Sequence, residues 1–313
     1  MTKKLTPPFP PSAAQPAPGE SRVQQTGETY EGDFDARLRV QHLIESPSYR
    51  QADEDLAFLQ RPEMCGVRLQ LDYWKAEELL QRHRIGHTVV VYGSTRLAEP
   101  VAAQRRLDAA QRALDAAPDD PTRRREAAIA QRLMDKSAYY TVACELGRLI
   151  GGADATPALP KLAVVTGGGP GIMEAANRGA YESGAESVGF NISLPHEQLP
   201  NPYLTPDLCF RFHYFAIRKL HLLERAKAAV FFPGGYGTFD ELFEVLTLLQ
   251  TGKIRPLPVL LVGEQYWRKA FDVRFLVDEG MIAASDAQLF RVAETAQQIW
   301  QIIKQWYEQG HGQ

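Results

Sequence analysis

Two glycine-rich stretches in this chain have the residue types and spacing of an anion cradle. Gly167-Gly-Gly-Pro-Gly171 and Pro233-Gly-Gly-Tyr-Gly-Thr238 each follow an apolar run and precede a helical pattern. Glycine lets a backbone approach a phosphate closely. A helix start just behind it offers free N–H groups and a partial positive charge. Neither stretch is a known nucleotide fingerprint, since Ile172 stands where the dinucleotide pattern needs glycine and no G-x-x-x-x-G-K-[ST] occurs. Tight-turn chemistry is the bland reading of either one alone. Thr238-Phe-Asp-Glu241 carries two readings side by side. It fits a capping box, with Thr238 as N-cap and Glu241 at N3, and it also sets a carboxylate behind a phosphate loop. Upstream, Arg218 and Lys219 open a helical stretch. Two cations there oppose the helix dipole unless an anion lies nearby; a solvated surface pair is the alternative.

These residues need elements to hold them. Residues 33–84 show helical spacing, then His87–Ser94 reads as a buried strand entering a glycine turn. Residues 98–151 are helical, broken into two helices by Pro118-Asp-Asp-Pro121. Strands are expected at 162–166, 187–193 and 228–232, and at 257–263, with an extended stretch at 208–215. Helices are expected at about 172–183, 216–226 and 238–251, and two more close the chain. Strands alternating with helices predict an α/β fold: a Rossmann-like parallel sheet with helices on both faces. The single domain carries a helical N-terminal extension. Ligands of such sheets bind at the carboxyl ends of strands. The glycine turns at 93, 167–171 and 234–237 should therefore converge on one crevice.

Composition narrows the function. The chain has 313 residues, 35 Lys plus Arg and 38 Asp plus Glu, for a net charge of −3. That balance argues against a protein that binds nucleic acid by bulk charge. The Arg123-Arg124-Arg125 run reads as a solvated helix start. Cys65, Cys144 and Cys209 are too few and scattered for a disulfide framework or a cysteine zinc site. No H-E-x-x-H, C-x-x-C, EF-hand loop or G-x-S-x-G elbow occurs, so no metal is expected. Residues 1–32, with Pro7, Pro8, Pro10, Pro11, Pro16 and Pro18, read as a disordered tail rather than a signal peptide. No run approaches the ~20 apolar residues of a membrane span. A cytoplasmic protein without membrane or nucleic-acid partners is expected.

Pro233-Gly-Gly-Tyr-Gly-Thr-Phe-Asp-Glu241 resembles the P-G-G-x-G-T-x-x-E signature of the LOG ("lonely guy") phosphoribohydrolases, often mislabelled lysine decarboxylases. Arg218-Lys219 matches that family's upstream pair. Gly167–Asn177, Tyr92-Gly-Ser94 and Ser193–Gln198 resemble its longer bacterial members. The resemblance spans roughly residues 40 to 300, within a domain placed at 33–310, and leaves 98–136 as a helical insertion. It implies a hydrolase that cleaves the N-glycosidic bond of a nucleoside 5′-monophosphate. The substrate would be a cytokinin riboside 5′-monophosphate or AMP, the latter making it AMP nucleosidase-like, with free base and ribose 5-phosphate as products. The implied catalytic residues are Arg218 and Glu241, and the implied phosphate site is Gly234, Gly235, Gly237 and Thr238. Further substrate contacts would come from Gly93, Ser94, Gly168, Gly169, Gly171, Glu174 and Lys219. No cofactor or metal is implied, and a homodimer or larger homo-oligomer is. No lysine is marked for the Schiff base of a pyridoxal phosphate decarboxylase. The rival reading is a non-enzymatic nucleotide or molybdenum-cofactor carrier that reuses the glycine loops. A nucleotide-sensing regulator is a third.

Overall fold

A computed structural model describes residues 34–194 and 199–310. The proline-rich tail and the motif residues 195–198 lie outside them. The chain divides into two compact units, residues 1–65 and 66–313. In the first, α1 (Phe34–Glu45) and the single turn α2 (Leu56–Leu59) are joined through one short 3₁₀ turn, Pro47–Tyr49, and a second, Pro62–Met64, follows α2. The Asp55 side chain caps α2 by accepting from the Phe58 N–H at 3.0 Å.

The second unit follows α3 (Cys65–Arg82) with β1 (Thr88–Tyr92) and then α4 (Pro100–Ala116), α5 (Pro121–Asp135) and α6 (Ala138–Gly152). Next come β2 (Ala163–Thr166), α7 (Ile172–Glu182), β3 (Ser187–Ile192), β4 (Cys209–Phe212) and α8 (Phe215–Glu224). The chain continues through β5 (Ala226–Phe231), α9 (Tyr236–Gln250), β6 (Val259–Val262), α10 (Glu264–Ala270) and α11 (Val273–Asp278). It closes with β7 (Arg291–Ala293) and α12 (Ala296–Glu308).

All seven strands pair in parallel, in the order β4-β3-β2-β1-β5-β6-β7. The expected Rossmann-like α/β fold is what forms. Successive strand residues face opposite sides, so both faces need cover. Val89 and Val91 enter a core with Leu146, Ile172 and Ile299 from α6, α7 and α12. Val90 and Tyr92 enter a second core with Leu80, Leu222 and Leu242 from α3, α8 and α9.

Two expectations are corrected. Residues 98–151 form three helices, not two, because the chain also breaks at Lys136-Ser137. No proline marks that break, and helix-favouring residues flank it. The tail of the sheet holds three helices and the seventh strand β7, where two helices were expected. A three-residue strand is too short for alternation to show.

A buried polar cluster fixes the 167–171 loop. The Thr166 hydroxyl donates to Asn177 Oδ1 at 2.7 Å and accepts from the Gly168 N–H at 3.0 Å. Asn201 Nδ2 donates to Asn177 Oδ1 at 3.0 Å and to the Gly169 carbonyl at 3.1 Å. Asn177, from α7, also donates to Ser187 Oγ at 3.3 Å and is fully buried. Truncating it orphans several partners at once. Asn177→Ala should therefore destabilise the fold by about 2–4 kcal/mol, read as a lower midpoint in denaturant unfolding. A change below about 0.5 kcal/mol would show that the cluster does not hold the loop.

Candidate active site

The three glycine turns do converge. A cavity of about 720 Å³ is lined by Gly93 and Ser94 after β1, Gly167 and Gly169 after β2, and Pro233–Thr238 after β5. Arg218 and Glu241 line it too. The loops are tied to one another, since the Ser94 N–H donates to the Pro233 carbonyl at 3.0 Å and the Ile172 N–H to the Ser94 carbonyl at 3.2 Å.

The capping-box reading of Thr238 and Glu241 does not hold. α9 begins three residues earlier than that reading needs, with Gly235 as N-cap and no side-chain cap. Thr238 thus sits at N3 and Glu241 in the second turn. Thr238 packs on the loop instead: a Cβ on Gly234 would meet its hydroxyl oxygen at 2.0 Å. The Tyr266 hydroxyl donates to the Gly234 carbonyl from the other side. The Thr238 N–H donates to the Gly235 carbonyl at 2.9 Å, and with no side-chain cap the Tyr236 and Gly237 N–H groups are left to a ligand or to water.

Glu241 is 6% exposed, and its Oε2 has no hydrogen-bond partner. Burial raises its carboxyl to about 7, against the opposing pull of the Lys219 and Arg218 cations, with Glu244 and Asp240 adding to the rise. The Tyr92 hydroxyl, also on the cavity wall, is likewise buried and unpartnered. Arg218, from α8, is anchored where its Nε donates to the Phe190 carbonyl at 2.7 Å. Its guanidinium lies 5.7 Å from the Phe215 ring centre. A Cβ on Gly167 would come within 2.5 Å of an Arg218 terminal nitrogen, so that glycine makes room for the cation.

Four of the expected residues take other places. Lys219 does not line the cavity; its Nζ pairs with Asp240 at 2.8 Å and Glu244 at 3.1 Å. Glu174 accepts from the Tyr140 hydroxyl at 2.9 Å, behind the loop. Gly168 faces Asn191 and Gly171 faces the Ser94–Thr95 backbone, and neither reaches the cavity wall. Lining residues that the sequence did not single out are Tyr92, Asn191, Phe215 and Tyr266, with Arg96, Ile129, Arg132, Leu133 and Lys136. Tyr92 stood in a quoted motif; the α5 positions gave no local signal.

Among the described residues, Glu77, His221 and Glu224 bring candidate metal-ligand atoms within 4.8 Å of one another. Arg225 NH2 donates to both Glu77 oxygens at 2.7 Å, which sets a fixed positive charge beside any incoming cation. The cluster therefore works as a charge pair under α3. Among the described residues no helix is long and apolar enough to cross a membrane.

The sheet and its crevice define a Rossmann-like α/β protein. A family model described as "Possible lysine decarboxylase" matches residues 173–303. The chain is 28% identical over 169 residues to cytokinin riboside 5′-monophosphate phosphoribohydrolase LOG4 of Arabidopsis thaliana, covering 52% of this chain and 74% of that protein. It is 27% identical over 154 residues to the probable cytokinin riboside 5′-monophosphate phosphoribohydrolase LOGL3 of Oryza sativa subsp. japonica, covering 46% and 68%. A solved molybdenum-cofactor carrier protein from Chlamydomonas reinhardtii covers 71% of this chain and 98% of its own, at 18% identity and a TM-score of 0.41. The resemblance to the LOG family carried by Pro233–Glu241 is borne out by the family model and these plant relatives.

The raised Glu241 carboxyl makes a stability prediction. Between pH 4.5 and about 7 the folded state holds a proton that the unfolded state has released. Stability therefore falls as pH rises through that window, and the full penalty, on the order of 3 kcal/mol, stands above it. Glu241→Gln removes the charge, so it should raise the melting midpoint at pH 8 by about 5 °C or more. The gain should shrink towards pH 4.5. A pH-independent difference would show that Glu241 is not buried as an acid.

Proposed function

We propose that this protein hydrolyses the N-glycosidic bond of a nucleoside 5′-monophosphate, a cytokinin riboside 5′-monophosphate or AMP, giving the free base and ribose 5-phosphate. The observation that carries this is Glu241. It is a buried carboxyl at about 7, with an unpartnered oxygen, on the wall of a cavity shared with Arg218 and an uncapped helix start. The activity for which the plant relatives are named agrees with that chemistry.

In this reading the 5′-phosphate rests on Gly234, Gly235, Gly237 and Thr238, facing the first turn of α9. Arg218 supplies a desolvated positive charge that orients the anion. Breaking the bond to the base builds positive charge on the ribose. Ionised Glu241 stabilises that charge and takes a proton from the water that attacks C1′. The bonding pair leaves with the base, which then gains a proton. A carboxyl near 7 is matched to a proton that must be taken and returned at neutral pH. The chemistry asks for no organic cofactor.

Three outcomes follow. AMP should be cleaved far faster than adenosine, because the loop rewards only an anion; equal rates, with free base measured by chromatography, would sink the phosphate assignment. Glu241→Gln should keep its fold and still bind nucleotide while turnover falls by about 10²–10⁴-fold. Near-normal turnover would end this mechanism, and binding without turnover in the unaltered protein would favour the carrier. In wild type, kcat/KM should rise with pH up to about 7 and then level, since the ionised carboxyl is the active form. A profile flat from pH 5 to 8 would assign the chemistry elsewhere.

A further inference from the structure

The two sides of the cavity differ in chemistry. Its β5 side carries the glycine turn and Glu241. Its β3 side carries Ile192 and Leu194, with Met173 of α7 and Phe215 of α8 adding apolar surface of the kind a purine ring stacks on. β3 lies three strand spacings from β5, roughly 14 Å. A nucleotide anchored by its phosphate beside β5 would therefore bring its base towards β3. On that side stands Asn191, the one carboxamide on the wall among the described residues.

The seat of Asn191 is built into the loop after β2. Gly168 has a φ of +73°, and a Cβ there would fall 2.3 Å from Asn191 Nδ2 and 2.7 Å from Oδ1, so only glycine lets the amide lie against the loop. Gly168 is itself pinned at both polar atoms. Its N–H donates to the Thr166 hydroxyl at 3.0 Å, and its carbonyl accepts from the Asn201 N–H at 2.9 Å. The amide is thus held in place while most of its bonding capacity stays free. Nδ2 donates to the Cys209 sulfur at 3.6 Å, a weak acceptor, and among the described residues Oδ1 accepts nothing.

We infer that Asn191 selects the base: Oδ1 accepts from the 6-amino group of an adenine ring while Nδ2 donates to its N7. The inference rests on the nucleotide reading of the cavity and deepens it. A carboxamide sets one donor beside one acceptor, and that edge of adenine does the same. A 6-oxo purine presents two acceptors there, which leaves Oδ1 facing a lone pair. One N–H on the 6-amino group is enough, so an N6-substituted adenine is read as well as adenine. The substrate class is therefore the 6-aminopurine nucleoside 5′-monophosphates, discriminated from their 6-oxo counterparts.

Calorimetric titration of the Glu241→Gln protein, which consumes no ligand, with AMP, IMP and 7-deaza-AMP tests this. The last keeps the amino group and has C–H in place of N7. AMP should bind about tenfold or more tightly than either. Adding Asn191→Ala should bring all three to within about twofold of one another. The melting midpoint should hardly move, since the amide's bond within the fold is to a thiol. Adding Asn191→Asp instead should reverse the order of AMP and 7-deaza-AMP, because a carboxylate accepts from the amino group but repels N7. A side chain that only packs the loop would weaken every ligand alike. Equal affinity for AMP and IMP, or ratios unchanged by both substitutions, overturns the assignment. The hydrolase reading fails differently: the base is discriminated, yet the unaltered protein releases AMP uncleaved. Cleavage of AMP and IMP at equal kcat/KM overturns the role of Asn191 and leaves the hydrolase standing.

Discussion

A strand paired in parallel on both sides must deliver its loop, and the loops of both neighbours, to the same edge of the sheet. β1 is that strand here, with β2 on one side and β5 on the other. Its own order reverses there: chain order runs outward through β2, β3 and β4 one way and through β5, β6 and β7 the other. The cavity opens at that reversal, between the loops after β1, β2 and β5, with α5 along one wall. The strands are short and buried, so their position is set by packing on two cores rather than by the loops themselves.

The same interior treats two kinds of polar group oppositely. Behind the β2 loop, Thr166, Asn177 and Asn201 satisfy one another and the loop backbone. In front of it, Glu241 and Tyr92 each bury a polar atom with no partner. Buried polar groups are normally paired. These two line the cavity, where a ligand can complete the set.

Much of this arrangement was legible in the residues. Glycine turns after β-branched runs announced the strand ends, and the alternation of strand and helix announced a parallel sheet. Thr238 and Glu241 were legible as important but ambiguous in role, because a capping box and a catalytic carboxylate use the same letters three apart. Only the start of α9 at Tyr236 separates them. Lys219 was indistinguishable from Arg218 by position, yet one pairs with Asp240 and the other meets the cavity. Arg132 and Lys136 were not legible at all. On an arginine-rich helix they look like any solvated face, and only the docking of α5 at the strand ends gives them a ligand-facing place. β7 was missed because three residues carry no period.

The order of strands also constrains how the molecule comes into being. β1 is complete at residue 92, but its second neighbour β5 begins only at residue 226. Until that segment leaves the ribosome, β1 presents a free edge, Thr88–Tyr92, with three valines in a row, open to pairing with another nascent chain. Closing it requires a contact across more than a hundred residues, which is slow for entropic reasons. Pairing of β5 both seals that edge and brings Gly234 to the β1 loop. A chain truncated or stalled before β5 is therefore never half-active: it lacks the site and carries an adhesive strand, and the event that ends its aggregation hazard is the one that creates its chemistry.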